Sequence, residues 1–243
     1  MGNVYLITGA SSDVGTALIR RIYQPGDTVI AQGSGDLKNL APVCQEFPGA
    51  IHTFDVDMSD PGSVDLFLRQ AEQMFPAPTH LIHLPALRVI NTKFKKFDEE
   101  RFELDFSVQV RSALKICKSV LPRMAKAGFG RVLFMQTSYT LGMPPKNTTA
   151  YVVAKSAIGG LVKSLAMDYA GTGVTVNCVA PSMMETKFLA DTSDLIVQAA
   201  AEANPMGRNA TVDDVVPAMA FLLSEEARFI TGITLPVTGG SAL

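Results

Sequence analysis

Over 243 positions, 47% hydrophobic and 18% charged residues supply the apolar mass for one large core and too little charge to stay unfolded. A net charge of −2 and a pI near 5.9 exclude the basic surface that nucleic acid demands. The widely separated Cys44, Cys117 and Cys178 read as small buried residues in a reducing compartment, and His52, His80 and His83 lack metal-ligand spacing. Met1 leads straight into a strand-like run, with no charged leader and no apolar stretch expected to span a bilayer, so the expected address is the cytoplasm, with no membrane partner.

In chain order, apolar runs that read as strands occupy 4–7, 28–32, 50–54, 80–84, 131–136, 174–179 and 233–237. Helical patterns lie between them, near 14–23, 37–46, 62–75, 98–126, 149–170 and 212–223. This alternation predicts a Rossmann-type α/β fold: a doubly wound parallel sheet of about seven strands with helices on both faces. The whole of 1–243 reads as one domain, and ligands of such sheets sit beyond the carboxyl ends of the strands. The stretch 182–209 breaks the alternation with methionines, prolines and an amphipathic run at Asp194–Ala203.

Two segments carry chemistry. In Val4–Gly15 an apolar run passes through small residues, Gly9, Ser11 and Ser12, then Asp13, Val14 and Gly15, into a helical pattern. A strand feeding a helix in this way aims helix N-terminal N–H groups at a pyrophosphate. Farther on, Tyr151 and Lys155 are four apart, so they share one face of a helix. An ammonium near a phenol lowers the phenol's pKa, and a tyrosine tuned in this way passes protons to or from a carbonyl oxygen. Ser138 supplies a hydroxyl for the same oxygen.

Thr8–Gly15, Asp55-Val56, Ser138, Tyr151, Lys155, Asn177–Pro181 and the tail Ile230–Gly240 together resemble the short-chain dehydrogenase/reductase family. The resemblance spans essentially the whole chain, and its nearest flavour is the 3-oxoacyl-carrier-protein reductases and related ketoreductases. It implies hydride exchange between NAD(P)(H) and a ketone or secondary alcohol, with Ser138, Tyr151 and Lys155 as the catalytic set. It also implies that Asp55 and Val56 flank the adenine, that Leu84 and Pro85 line the cofactor, and that Pro181, Met184 and Thr186 contact the nicotinamide side. Segment 182–209 becomes a substrate lid, and a homotetramer or homodimer is expected.

Several positions depart from the family pattern. Asp13 replaces a glycine of the loop, where its carboxylate either faces the pyrophosphate or, as the favoured reading, caps the first helix. His83-Leu84-Pro85-Ala86 replaces an Asn-Asn-Ala-Gly segment, and His83 reads as a satisfied structural histidine. Gln109 stands where the family has a catalytic asparagine that holds a water beneath the lysine, and Ser182 replaces a glycine after Pro181. Counting from Tyr151 selects Ser138 as the catalytic hydroxyl, whereas counting from Gly130-Arg131 selects Thr137; Ser138 is preferred.

No acid stands at Gly33 or Ser34, where one would repel a ribose 2′-phosphate, so Ser12 and Ser34 favour NADP, with NAD as the alternative. Lys93, Lys95, Lys96 and Arg101 form either a solvated face or a patch for a carrier-bound substrate rather than a free small molecule. The competing functional class is a non-catalytic dinucleotide sensor or scaffold, motivated by Asp13 and Gln109.

Overall fold

The computed structural model describes residues 2–35 and 37–241, which leaves Asp36, two beyond Ser34, outside the described residues. The apolar runs form β1 (Val4–Thr8), β2 (Thr28–Gly33), β3 (Ile51–Asp55), β4 (His80–His83), β5 (Gly130–Met135), β6 (Val174–Pro181) and β7 (Thr234–Val237). Every pairing is parallel, in the order β3-β2-β1-β4-β5-β6-β7, so strand order reverses between β1 and β4. The register places Thr8 beside both Gln32 and His83 at this switch point, where open α/β sheets bind ligands.

The strands are hydrophobic on both faces because helices cover both. Along β1, Leu6 joins one core with Phe67, Ile116 and Val162, while Tyr5 and Ile7 join the other with Leu18, Ile19 and Met219. The helices are α1 (Asp13–Ile22), α2 (Ala41–Glu46), α3 (Pro61–Met74), α4 (Glu99–Phe106), α5 (Ser112–Ala127), α6 (Thr149–Asp168), α7 (Asp194–Ala203) and α8 (Val212–Leu223). Local chemistry sets their ends. Asp60 accepts from the Gly62 and Ser63 amides ahead of Pro61, and Gly128 closes α5 in the left-handed region at φ 72°.

Three expectations need correction. The helix predicted over 37–46 shortens to α2 behind a turn at Lys38–Leu40, because Pro42 is tolerated only in a first turn. The helix predicted over 98–126 is interrupted by a π-turn at Ser107–Arg111, which adds a residue to one turn without breaking the apolar stripe. Contrary to expectation, one helix, α6, is apolar and long enough by composition to cross a bilayer. Its Ala154, Lys155, Ile158, Val162 and Ala166 are buried, as in a helix packed on a sheet.

Candidate active site

At the carboxyl end of β1 the chain turns through Gly9 at φ 68°, where a Cβ would lie 3.1 Å from the Pro85 amide nitrogen. Only glycine takes this conformation without strain and admits the β4 loop so closely. Ser12 caps α1, its hydroxyl oxygen accepting from the Gly15 amide at 3.1 Å. A Cβ on Gly15 would meet the Ala10 carbonyl oxygen at 2.5 Å, so the helix start packs directly on the loop. Beneath the loop the fully bonded amide of Gln32 stitches three strands. Its Oε1 accepts from the Gly9 amide at 2.9 Å, and its Nε2 donates to Gly33 and Val56 carbonyls at 2.7 and 2.8 Å.

The end of β2 is tied to β3. Asp55 Oδ1 accepts from the Gly35 amide at 2.8 Å, and the Val56 amide donates to the Gly33 carbonyl at 2.9 Å. Both groups expected at the adenine therefore shape the β2 turn, while Ser34 stands exposed at its tip. Leu84 lines a cavity beyond β1 and β4, and Pro85 backs Gly9.

Of the two hydroxyls, Thr137 lines the cavity with Tyr151 and opposes the rise of its pKa through a hydrogen bond, whereas Ser138 does not line the cavity. Ser138 is buried and opens a short turn, its carbonyl accepting from the Leu141 amide. β5 ends at Met135, and register from the strand, rather than distance from Tyr151, decides which hydroxyl emerges at the sheet edge.

Tyr151 and Lys155 lie on α6 as the spacing required, with the Lys155 ammonium nitrogen 5.9 Å from the phenol ring centre. Lys155 Nζ donates to the Met135 carbonyl at 2.8 Å, and Gln136 Nε2 secures the Lys155 carbonyl at 2.8 Å. Burial pulls the Lys155 pKa down to about 8, against a raising effect from Asp105. The expected lowering of the tyrosine pKa is not found. Burial pushes the Tyr151 phenol well above its ordinary value, Thr137 opposes the rise, and Tyr139 and Asp105 add to it. Desolvation of the phenolate is the largest cause of the rise.

Gln109 sits in the π-turn and is buried. Its Nε2 donates to Asp105 Oδ1 at 2.7 Å, its carbonyl accepts from His83 Nε2 at 3.0 Å, and its Oε1 is buried without a partner. Because His83 Nε2 must carry the hydrogen, Nδ1 accepts from the Thr8 hydroxyl at 2.9 Å. Burial takes the His83 pKa down to about 3, so the ring is neutral and structural, as expected from the sequence.

Asp13 neither caps α1, a task held by Ser12, nor stands free toward a phosphate. Its Oδ2 accepts from the Lys187 amide at 2.7 Å, and its Oδ1 lies 4.0 Å from Lys187 Nζ. This joins α1 to the turn Lys187–Leu189, in the segment expected to be the lid. The same segment carries the exposed α7 and closes back through an isolated bridge between Met184 and Ala210. Arg88, after β4, adds a 2.6 Å ion pair to Asp191.

These groups surround one cavity of about 360 Å³. Ser12, Asp13 and Val14 line it together with Thr137, Tyr151, Lys155, Pro181, Met184 and Thr186. The residues suit a dinucleotide: the α1 N-terminus faces the cavity, Gly9 and Gly15 admit no side chain, and the Lys155 ammonium reaches the same space. Sequence reasoning passed over Asn39, which lines the cavity, accepts from Lys187 Nζ at 3.0 Å and donates to the Ser11 carbonyl at 3.2 Å. It also passed over Tyr139, edge-on to Tyr151 at 6.3 Å, and over Asp105. An acidic residue inside an apolar helical stripe was the available signal for Asp105.

A family model described as enoyl-(acyl carrier protein) reductase matches residues 9–242. An NADPH-dependent aldehyde reductase-like chloroplastic protein of Arabidopsis thaliana is 30% identical, over 98% of this chain and 94% of that one. The 3-oxoacyl-acyl-carrier-protein reductase FabG of Escherichia coli is also 30% identical, over 98% and 97%. A crystal structure from Beutenbergia cavernae with NADP bound superposes with a TM-score of 0.90 at 26% identity, covering 98% of this chain and 96% of that one.

Proposed function

The chain belongs to the short-chain dehydrogenase/reductase family of NAD(P)-dependent oxidoreductases, and from that premise we propose that it reduces an apolar ketone to a secondary alcohol with NADPH. The observation that carries this reading is that Thr137, Tyr151 and Lys155 line the same cavity as the α1 N-terminus. Dinucleotide binding alone would use Lys155 and Tyr151 but not the Thr137 hydroxyl beside them, which weighs against the sensor reading.

When bound, the nicotinamide supplies the hydride. The α1 N-terminus from Ser12 to Val14 would hold the pyrophosphate, Lys155 and Tyr151 the nicotinamide ribose, and Met184 and Thr186 the carboxamide side. Burial keeps the Tyr151 phenol protonated through the neutral range, so it is ready to donate to the carbonyl oxygen as charge grows there. The Thr137 hydroxyl donates to the same oxygen, stabilising that charge. With its pKa near 8, Lys155 remains an ammonium at neutral pH and presents its charge to both.

NADPH is favoured because Gly33 and Ser34 bring no carboxylate to the end of β2, and because the Arabidopsis relative is NADPH-dependent. The substrate side of the cavity offers Val89, Tyr139, Met183, Phe188 and Leu189, surfaces for a compact apolar or aromatic ketone. Exposed Lys93, Phe94, Lys95 and Lys96, on a loop leading into α4, favour a second reading in which the ketone arrives as a carrier-bound thioester. In this proposal residues 182–209 act as the lid, and two or four copies assemble. Exposed Leu114 on α5 and Val153 on α6 support assembly. Free Cys44, Cys117 and Cys178 support a cytoplasmic location.

Oxidation of NADPH and NADH against a panel of free ketones and 3-oxoacyl thioesters tests the proposal, with Tyr151→Phe alongside. Turnover with NADPH that disappears in the variant while dinucleotide binding persists is expected. Dinucleotide binding with no turnover across the panel would return the sensor reading.

A further inference from the structure

Among the described residues, Arg88, Lys155 and Lys187 are the cations that line the cavity. Lys155 is held by the Met135 carbonyl, and Arg88 pairs with Asp191 at 2.6 Å. Lys187 is placed differently. Its backbone is anchored, because its amide donates to Asp13 Oδ2 at 2.7 Å. Its side chain is 71% exposed, and its Nζ donates to Asn39 Oδ1 at 3.0 Å. Asn39 in turn donates to the Ser11 carbonyl at 3.2 Å, and the Ser11 hydroxyl oxygen lies 2.9 Å from where a Cβ on Gly33 would stand. These contacts link the segment beyond β6 to the end of β2, and both Lys187 and Asn39 line the cavity.

The end of β2 is where a fold of this kind tells a ribose 2′-hydroxyl from a 2′-phosphate. Gly33 and Ser34 bring no carboxylate there, which removes repulsion but supplies no attraction. Lys187 supplies it. An ammonium has three donors, and the neutral Asn39 oxygen takes one of them. Asp13 Oδ1, 4.0 Å from Nζ, is beyond hydrogen-bond distance. A phosphate outcompetes the Asn39 amide for this ammonium, because bonds between two charged groups are stronger than bonds to a neutral acceptor. We propose that Lys187 selects NADPH over NADH: its ammonium leaves Asn39 for the 2′-phosphate, while the Asp13 bond to its amide keeps it within reach. This rests on the NADPH reading above. The segment proposed as the substrate lid thereby also reads the cofactor, and Asn39 holds the lysine in the cofactor-free protein.

Fluorescence titrations with NADPH and with NADH, in the absence of any ketone, are run on the parent protein, Lys187→Gln and Lys187→Arg. NADPH affinity should fall about tenfold in Lys187→Gln, with NADH affinity unchanged, and Lys187→Arg should retain the preference. Tenfold is the low end of what a hydrogen bond to a charged group is worth, as an exposed and screened lysine requires. For the same reason added salt should weaken NADPH binding more steeply in the parent than in Lys187→Gln. Equal loss of both dinucleotides in Lys187→Gln would put the ammonium on the shared pyrophosphate and overturn the proposal, as would no loss of either. Binding is read without turnover, so a protein that reduces no ketone leaves this test intact. A parent with no preference for NADPH would sink the cofactor reading and the proposal together, whereas a preference that survives Lys187→Gln sinks the proposal alone.

Discussion

The carboxylate of Asp13, first residue of α1, accepts a 2.7 Å hydrogen bond from the backbone amide of Lys187, 174 residues away in the chain. A negative charge at a helix N-terminus is favourable in itself, and here it also holds the segment beyond β6 over the cavity. The same charge stands where a pyrophosphate would bind. Asp13→Asn keeps an acceptor and removes the repulsion, so dinucleotide affinity should rise by about two- to fivefold, the factor that a helix-end charge is worth. Asp13→Gly should loosen the segment. Fluorescence titration reads the first effect, and the rate of proteolytic cleavage within residues 187–193 reads the second.

Thr137 and Ser138 separate by one residue of register. Thr137→Val should lower kcat about a hundredfold, the cost of losing one donor to a developing oxyanion. Ser138→Ala should change kcat little, because Ser138 does not line the cavity. Steady-state kinetics on both variants decides it, and the reverse ranking would assign the role to Ser138.

Acid should unfold the protein through two histidines. Burial lowers His80 to about 4 and His83 to about 3 from 6.5, so the unfolded chain binds protons that the folded chain refuses. Their contribution is intact above pH 6.5 and is lost as pH falls toward the folded values. At pH 5 each histidine should cost about 2 kcal/mol relative to neutral pH. Urea unfolding at pH 7 and pH 5 measures the sum, and His80→Gln should flatten the slope.

Gly15 is closed to any side chain by the Ala10 carbonyl, 2.5 Å from where a Cβ would stand. Gly15→Ala should cost about 1–3 kcal/mol, as overpacking does, and should weaken dinucleotide binding by tilting the α1 N-terminus. Thermal melts and a dinucleotide titration check the two effects separately.

The order of elements, the glycine loop and the pairing of Tyr151 with Lys155 were legible in the chain, whereas the switch point between β1 and β4 came from the sheet itself. Each legible feature rests on local rules: side-chain periodicity, turn chemistry and the four-residue spacing of a helix face. Which hydroxyl meets Tyr151, what Asp13 grips, where Gln109 turns its amide and why Asp105 is buried were decided only by tertiary structure. Those outcomes depend on strand register and on contacts between segments far apart in sequence, as in Asp13 with Lys187 and His83 with Gln109. The sign of the Tyr151 shift belongs with them. Proximity of a lysine follows from spacing, but the desolvation that raises the phenol exists only once the chain has folded around it.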